Sequence, residues 1–287
     1  RLCCRLQGRT LHRLHAFQFA QPATYGKRID LWAYNFVLAL NDMEQAIETE
    51  MDGAGYISSG VRNYFLNSRL NQAVVAASKA AHDMRLLQHD QELNEPFAEE
   101  QVGSSAMAYK KNPMKAERSN GLSRTKIGLL DAGKEINYAF LGTDSVLELV
   151  LSTFVHDTPE QKGFTVHEST SRANLMKHMP FLVSEEIMMD AVKRGADRQE
   201  MHEVIRRCML EARENIDSGR PNNMLELLRE TGKFDSYFAG TSTGRLLDPM
   251  RHIGRSREQV YEFGKIEVMP VRERYASKLG IKGQVSV

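Results

Sequence analysis

Between Gly103 and Glu117 the chain reads GSSAMAYKKNPMKAE. Ser104 and Ser105 follow a glycine, and the cations Lys110, Lys111, Lys115 and Arg118 come soon after. Hydroxyls beside free backbone amides and cations suit an anion, a carboxylate or a phosphate. A nucleotide P-loop is excluded, because it needs two glycines flanking four residues, then Lys and Ser or Thr, after a strand. A nucleic-acid surface lacks its stacking platform, since Tyr109 is the one aromatic among these cations. A plainer reading is a solvated loop capped by Ser104 or Ser105. Lys110 and Arg118 are then surface charges, and Glu117 complements the dipole of a following helix. With so few bulky side chains, the stretch cannot be held by its own packing. It is built to move or to meet an anion.

The elements around it read as helices. The 287 residues are 41% hydrophobic and 26% charged, the balance of a soluble globular chain, and a net charge of +1 points to neither nucleic acid nor membrane. No apolar run reaches the ~20 residues of a membrane helix. Three cysteines make no disulfide framework, so a reduced, cytoplasmic protein is expected. RLCCRLQGRTLHRLH at the start lacks the serine enrichment of a transit peptide and reads as a chain that begins mid-protein. Trp32, Phe36, Leu40, Met43, Ile47 and Met51 form one apolar stripe, and Leu70, Val74, Ala77, Ala81 and Met84 a second. Ile136, Phe140, Leu147 and Val150 mark a third. The second helix is expected to run to about Asn94, where Pro96 stops it. Asp52–Gly60, with its glycines, is a loop, and HDTPEQKG (156–163) a linker. Shorter amphipathic units follow at Pro180–Arg194, Asp197–Ala212 and Asn223–Glu230. No strand alternation is evident. The fold class is all-α: a long-helix bundle over residues 1–163, then a small α-helical domain over 164–287.

GSSAMAYKKNP closely resembles the signature of the fumarase/aspartase superfamily. With EPFAEEQV before it and MKAER after it, it resembles the adenylosuccinate lyases, eukaryotic type. FAQPATYGKRIDLW (19–32), DMRLLQHDQELNEPF (83–97), PFLVSEEIMMDAVKRGADRQEMHEVIR (180–206) and LLDPMRHIGRSREQV (246–260) are similar to other segments of that family. YKKNPM together with RQEMHE argues against another superfamily member such as an argininosuccinate lyase.

The resemblance implies a bundle of the fumarase/aspartase type, a homotetramer sharing active sites between subunits, a small-molecule substrate (adenylosuccinate), and no cofactor or metal. It implies a β-elimination in which a C–N bond breaks and fumarate leaves. Proton loss beside a carboxylate creates a dianionic intermediate, so the site needs a base, cations or amides around the carboxylate, and an acid for nitrogen. By resemblance Ser104 is the base, its alkoxide stabilised by amides of Gly103–Met107 and by Lys110. Ser105, Lys110, Asn112 and Arg118 bind substrate, and Glu117 supports a catalytic histidine. Met107 and Tyr109 read as packing residues, and His202 as a structural residue joining two helices.

The chain also departs from the family. LHAFQFAQ puts Ala16 where the acid histidine belongs, so His15 takes that role only if the chain shifts by one residue. The family's phosphate-binding N-terminal domain, a glycine-threonine-glutamine segment and a stretch from Glu-Arg-Thr to Asp-Asp-Ser have no counterpart. The alternative is therefore a catalytically incompetent truncated homologue that keeps the bundle for assembly, and little turnover is expected from the chain alone.

Overall fold

The computed structural model describes residues 6–15, 18–49, 59–97, 101, 103–107, 109–128, 136–154 and 163–278. They form two compact units, one of residues 28–167 with 259–287, the other of residues 1–27 with 168–258.

The first unit is a helical bundle. Helix α1 is Tyr25–Thr49, α2 is Ser59–His89, α3 is Met114–Gly128 and α4 is Ile136–Phe154. Helices α2, α3 and α4 pack pairwise against one another. The expected stripe on α2 is buried in full: Leu70, Val74, Ala77, Ala81 and Met84 all lie inside. Its alanines leave room for a neighbouring backbone to come close. Helix α1 is tied in by Trp32, whose Nε1–H donates to Asp83 Oδ2 at 2.8 Å. Asp83 also draws Arg28 and Lys79, and the Trp32 ring stands edge-on to Phe154. Beyond Trp32 the stripe on α1 is half-buried at Phe36, Leu40 and Met43, and Ile47 is 60% exposed.

Two expectations change here. Helix α2 ends at His89, short of Asn94, because Gln91 takes a left-handed φ of 58°. The Glu92 N–H reaches Leu87 O and the Gln91 N–H reaches Gln88 O, which closes the helix end as a Schellman turn. The buried face of α4 is Ala139, Thr143, Val146, Leu149 and Thr153, while Phe140 points outward. Small residues permit close packing there, so the face is rotated from the one the larger side chains marked. Helix α3 buries Ala116, Ser119, Asn120, Ser123 and Lys126, a small and polar face that no apolar period could mark.

After α4, the two-residue strand Thr165–Val166 pairs with Leu93–Asn94 just beyond α2. The chain returns to this unit near its end. Phe263 stands edge-on to Tyr34, and Arg274 pairs with Glu44 at 3.2 Å.

The second unit contains the other departure, an antiparallel hairpin of β1 (Thr10–His15) and β2 (Gln18–Thr24). Its register breaks between Leu11 and Arg13, which interrupts the alternation that would reveal a strand. Helix α5, Glu168–Leu182, contacts the hairpin, and Tyr25 bonds Ser171 at 2.7 Å. Pro180 lies in the last turn of α5 and does not begin a new helix; α6 starts only at Ser184 and runs to Lys193. Helix α7, Arg198–Asp217, is capped by Asp197, which accepts from the Glu200 N–H at 2.8 Å. Leu175, Met179, Ile187, Ile205, Met224, Leu228 and Phe234 are core residues of this unit. No helix among the described residues is long and apolar enough to cross a membrane.

Candidate active-site loop

The signature stretch joins the end of α2 to the start of α3, and its base is built from buried polar groups. Gln88, in the last turn of α2, accepts the Glu95 N–H on Oε1 at 3.0 Å. The same side chain donates from Nε2 to Lys111 O at 2.8 Å. Glu95 then caps α3 from a distance, Oε1 accepting from the Lys115 N–H at 2.9 Å and Oε2 from the Ala116 N–H at 3.1 Å. A carboxylate at a helix N-terminus meets otherwise unpaired amides and the positive end of the helix dipole. Burial pushes the Glu95 carboxyl above its usual range, against the opposing pull of the amides of Lys115 and Ala116 and the charge of Lys115.

Above this base the loop closes on itself. Asn112 Nδ2 donates to Gly103 O at 3.1 Å, and the Lys110 N–H reaches Met107 O at 2.9 Å. Gly103 packs so tightly that a Cβ there would collide with the Lys110 carbonyl and stand 3.0 Å from the Phe97 ring. Only glycine fits. Ser104 follows, and its Oγ accepts the Met107 N–H at 3.2 Å. That amide is the kind of donor an alkoxide at Ser104 requires.

The other sequence candidates are placed as follows. The Ser105, Lys110 and Arg118 side chains are exposed. Glu117 is exposed and lies 3.8 Å from Arg85, so its observed neighbour is an arginine. Lys111 lies over the Phe97 ring and Lys115 donates to Ser152 O at 3.4 Å, which gives both a structural use. Tyr109 is 83% exposed and therefore does not pack the loop; its hydroxyl reaches Met107 Sδ at 3.6 Å. His202 is exposed on α7 and joins no helix pair. Its neighbour Glu203 is bound by Arg206 and Arg207, and the Arg206 hydrogen bonds hold its carboxyl down to about 2.

His15 closes β1 opposite Gln18; its side chain and Ala16 lie outside the described residues, as do residues 52–58 of the expected Asp52–Gly60 loop, whose last two residues instead begin α2. Gln88 and Glu95 went unmarked at the sequence level, although the Glu-Pro-Phe of the quoted similarity contains Glu95. No group of three or more histidine, cysteine, aspartate or glutamate residues among the described ones is placed to hold a metal ion.

Residues 180–263 match the family described as "Adenylosuccinate lyase C-terminus". Adenylosuccinate lyase of Schistosoma mansoni is 28% identical over 344 residues, covering 96% of this chain and 69% of that protein. Adenylosuccinate lyase of Schizosaccharomyces pombe is 28% identical over 86% of this chain and 62% of its own length. The first alignment is longer than the 287 residues here, so the relative has internal segments with no counterpart in this chain. In fold, the crystal structure of 3-carboxy-cis,cis-muconate lactonizing enzyme from Pseudomonas putida is similar, with a TM-score of 0.67 at 18% identity over 91% of this chain and 68% of that one. The family segment, the full-length relatives and the bundle around the signature loop agree, and the chain belongs to the adenylosuccinate lyase family of the fumarase/aspartase superfamily.

Proposed function

We propose that this chain acts as a subunit of a C–N lyase that splits adenylosuccinate into AMP and fumarate. The parallel step on the succinylated aminoimidazole carboxamide ribotide is part of the same proposal. The observation that carries it is the Ser104 hydroxyl, held by the Met107 amide at the edge of a glycine-pinched loop, with Lys110 exposed nearby in sequence. A serine hydroxyl removes a carbon-bound proton only if its anion is stabilised, and the Met107 N–H supplies one donor. Ser104 takes the proton beside the carboxylate, and negative charge spreads onto the carboxylate oxygens. Lys110 offsets that charge, and Ser105 and Asn112 donate hydrogen bonds to the carboxylate oxygens. Arg118 holds the substrate further along α3, and Glu117 orients the acid. His15 is our candidate for protonating the departing nitrogen. Electrostatic stabilisation of this kind acts most strongly once loop closure has excluded water.

Assembly belongs to the same proposal. In the bundle unit, Leu31, Leu38 and Ile47 on α1 and Tyr138, Phe140 and Leu141 on α4 are exposed. Such apolar surface on bundle helices suits a shared homotetrameric core. The same exposure favours the second reading, an assembly module without turnover. Fumarate release from adenylosuccinate separates the two, measured for the chain alone and mixed with full-length adenylosuccinate lyase subunits. The lyase reading expects Ser104→Ala to lower the chain's contribution ~10²–10⁴-fold with the assembly intact. Equal rates with and without Ser104 leave only the assembly reading.

A further inference from the structure

We infer that Gln88 and Glu95 are positioning residues that latch both stems of the signature loop to the end of α2, beneath the segment that carries Ser104. Its catalytic meaning rests on the lyase reading above, while the latch itself does not. A helix is ordinarily capped by the residue just before it. Helix α3 is preceded by Pro113, and its Lys115 and Ala116 amides are instead satisfied by Glu95, from the far side of the loop. Gln88 completes the circuit by accepting from Glu95 and donating to Lys111. Four hydrogen bonds from two side chains therefore join the incoming stem, the outgoing stem and α2. Both side chains are over nine-tenths buried, Gln88 at 8% and Glu95 at 3% exposure. Water competes poorly for bonds in such a place, so each survives motion of the loop above it. The Asn112–Gly103 bond and the tight contact of Gly103 with Lys110 form a second tier just below Ser104. A loop anchored this way repositions its serine within a small arc and avoids reordering a long segment at each closure, which is what a preorganised base requires.

Hydrogen exchange of the ligand-free chain, followed by mass spectrometry, tests the latch without reference to activity. Gln88→Met keeps the side-chain volume and removes both hooks. Exchange in the peptide spanning 103–112 is expected to rise about tenfold or more, with the Leu70–Met84 core of α2 and helix α7 unchanged. Glu95→Ala is expected to expose the Lys115 and Ala116 amides, and Glu95→Gln, which retains length but only one of the two acceptor oxygens, to restore the protection of one of them. A purely structural role predicts a uniform rise throughout the bundle and no rescue by glutamine. That result, or unchanged loop exchange in Gln88→Met, overturns the assignment. Failure of the lyase reading shows separately, as absent fumarate release by a chain whose loop remains latched.

Discussion

Lys126 lies at 2% exposure in the bundle unit, its ammonium donating to Asn67 Oδ1 and, at 2.7 Å, to Asn71 Oδ1. Neither partner is a carboxylate. Burial strips water from the cation and pushes its pKa from 10.5 down to about 8. In the unfolded chain the lysine holds its proton to about pH 10.4. Between pH ~8 and ~10.5 the unfolded chain therefore binds a proton that the fold has released, and stability rises with pH across that window. Below it the full cost remains, at most about 3 kcal/mol at ~1.4 kcal/mol per pH unit. Lys126→Met removes that cost but leaves two amide oxygens without this donor, at about 1 kcal/mol each. The variant is thus expected to be about 1 kcal/mol more stable than the parent at pH 7 and about 1 kcal/mol less stable near pH 10, where the last ~0.5 pH unit of the cost still remains. Urea unfolding from pH 7 to pH 10, at one protein concentration, measures the difference, and the other titrating groups cancel between the two proteins. The stability curves should cross. Parallel curves over that range would refute the reasoning and show that Lys126 stays charged in the fold.

Gly103→Ala should distort the loop, because the new methyl meets the Lys110 carbonyl; faster exchange across 103–112 at an unchanged melting temperature is the expected result, and undisturbed exchange contradicts the close approach. Trp32→Phe removes the 2.8 Å bond to buried Asp83 and is expected to cost about 2 kcal/mol in urea unfolding, the typical value for a bond to a charged group. A loss near zero would mean that Arg28 and Lys79 fully compensate Asp83.

What the sequence made legible follows from where the information lies. The stripe on α2 was readable because large and small apolar residues repeat on one face from Leu70 to Met84, and the structure buries them all. Helix α4 was recognisable as a helix, but its face was misjudged because Phe140 and its larger neighbours look outward while Ala139 and Thr143 look in. No apolar period marks α3, whose buried residues include Ser119, Asn120 and Lys126. The hairpin was hidden by its register break, and the early end of α2 by a glutamine in a conformation usually left to glycine. The signature loop could be found from its residues alone. Its support could not, because Glu95 and the two amides it caps are about twenty positions apart, and only the fold brings them together.

The central claim is that Ser104 supplies the base of a lyase site shared between subunits. Full-length adenylosuccinate lyase subunits whose signature serine is changed to alanine should be inactive by themselves. Mixed assemblies of those subunits with this chain should regain fumarate release from adenylosuccinate, and assemblies made with the Ser104→Ala chain should not. Equal fumarate release from both mixtures, or none from either once mixed tetramers are shown to form, would contradict the account.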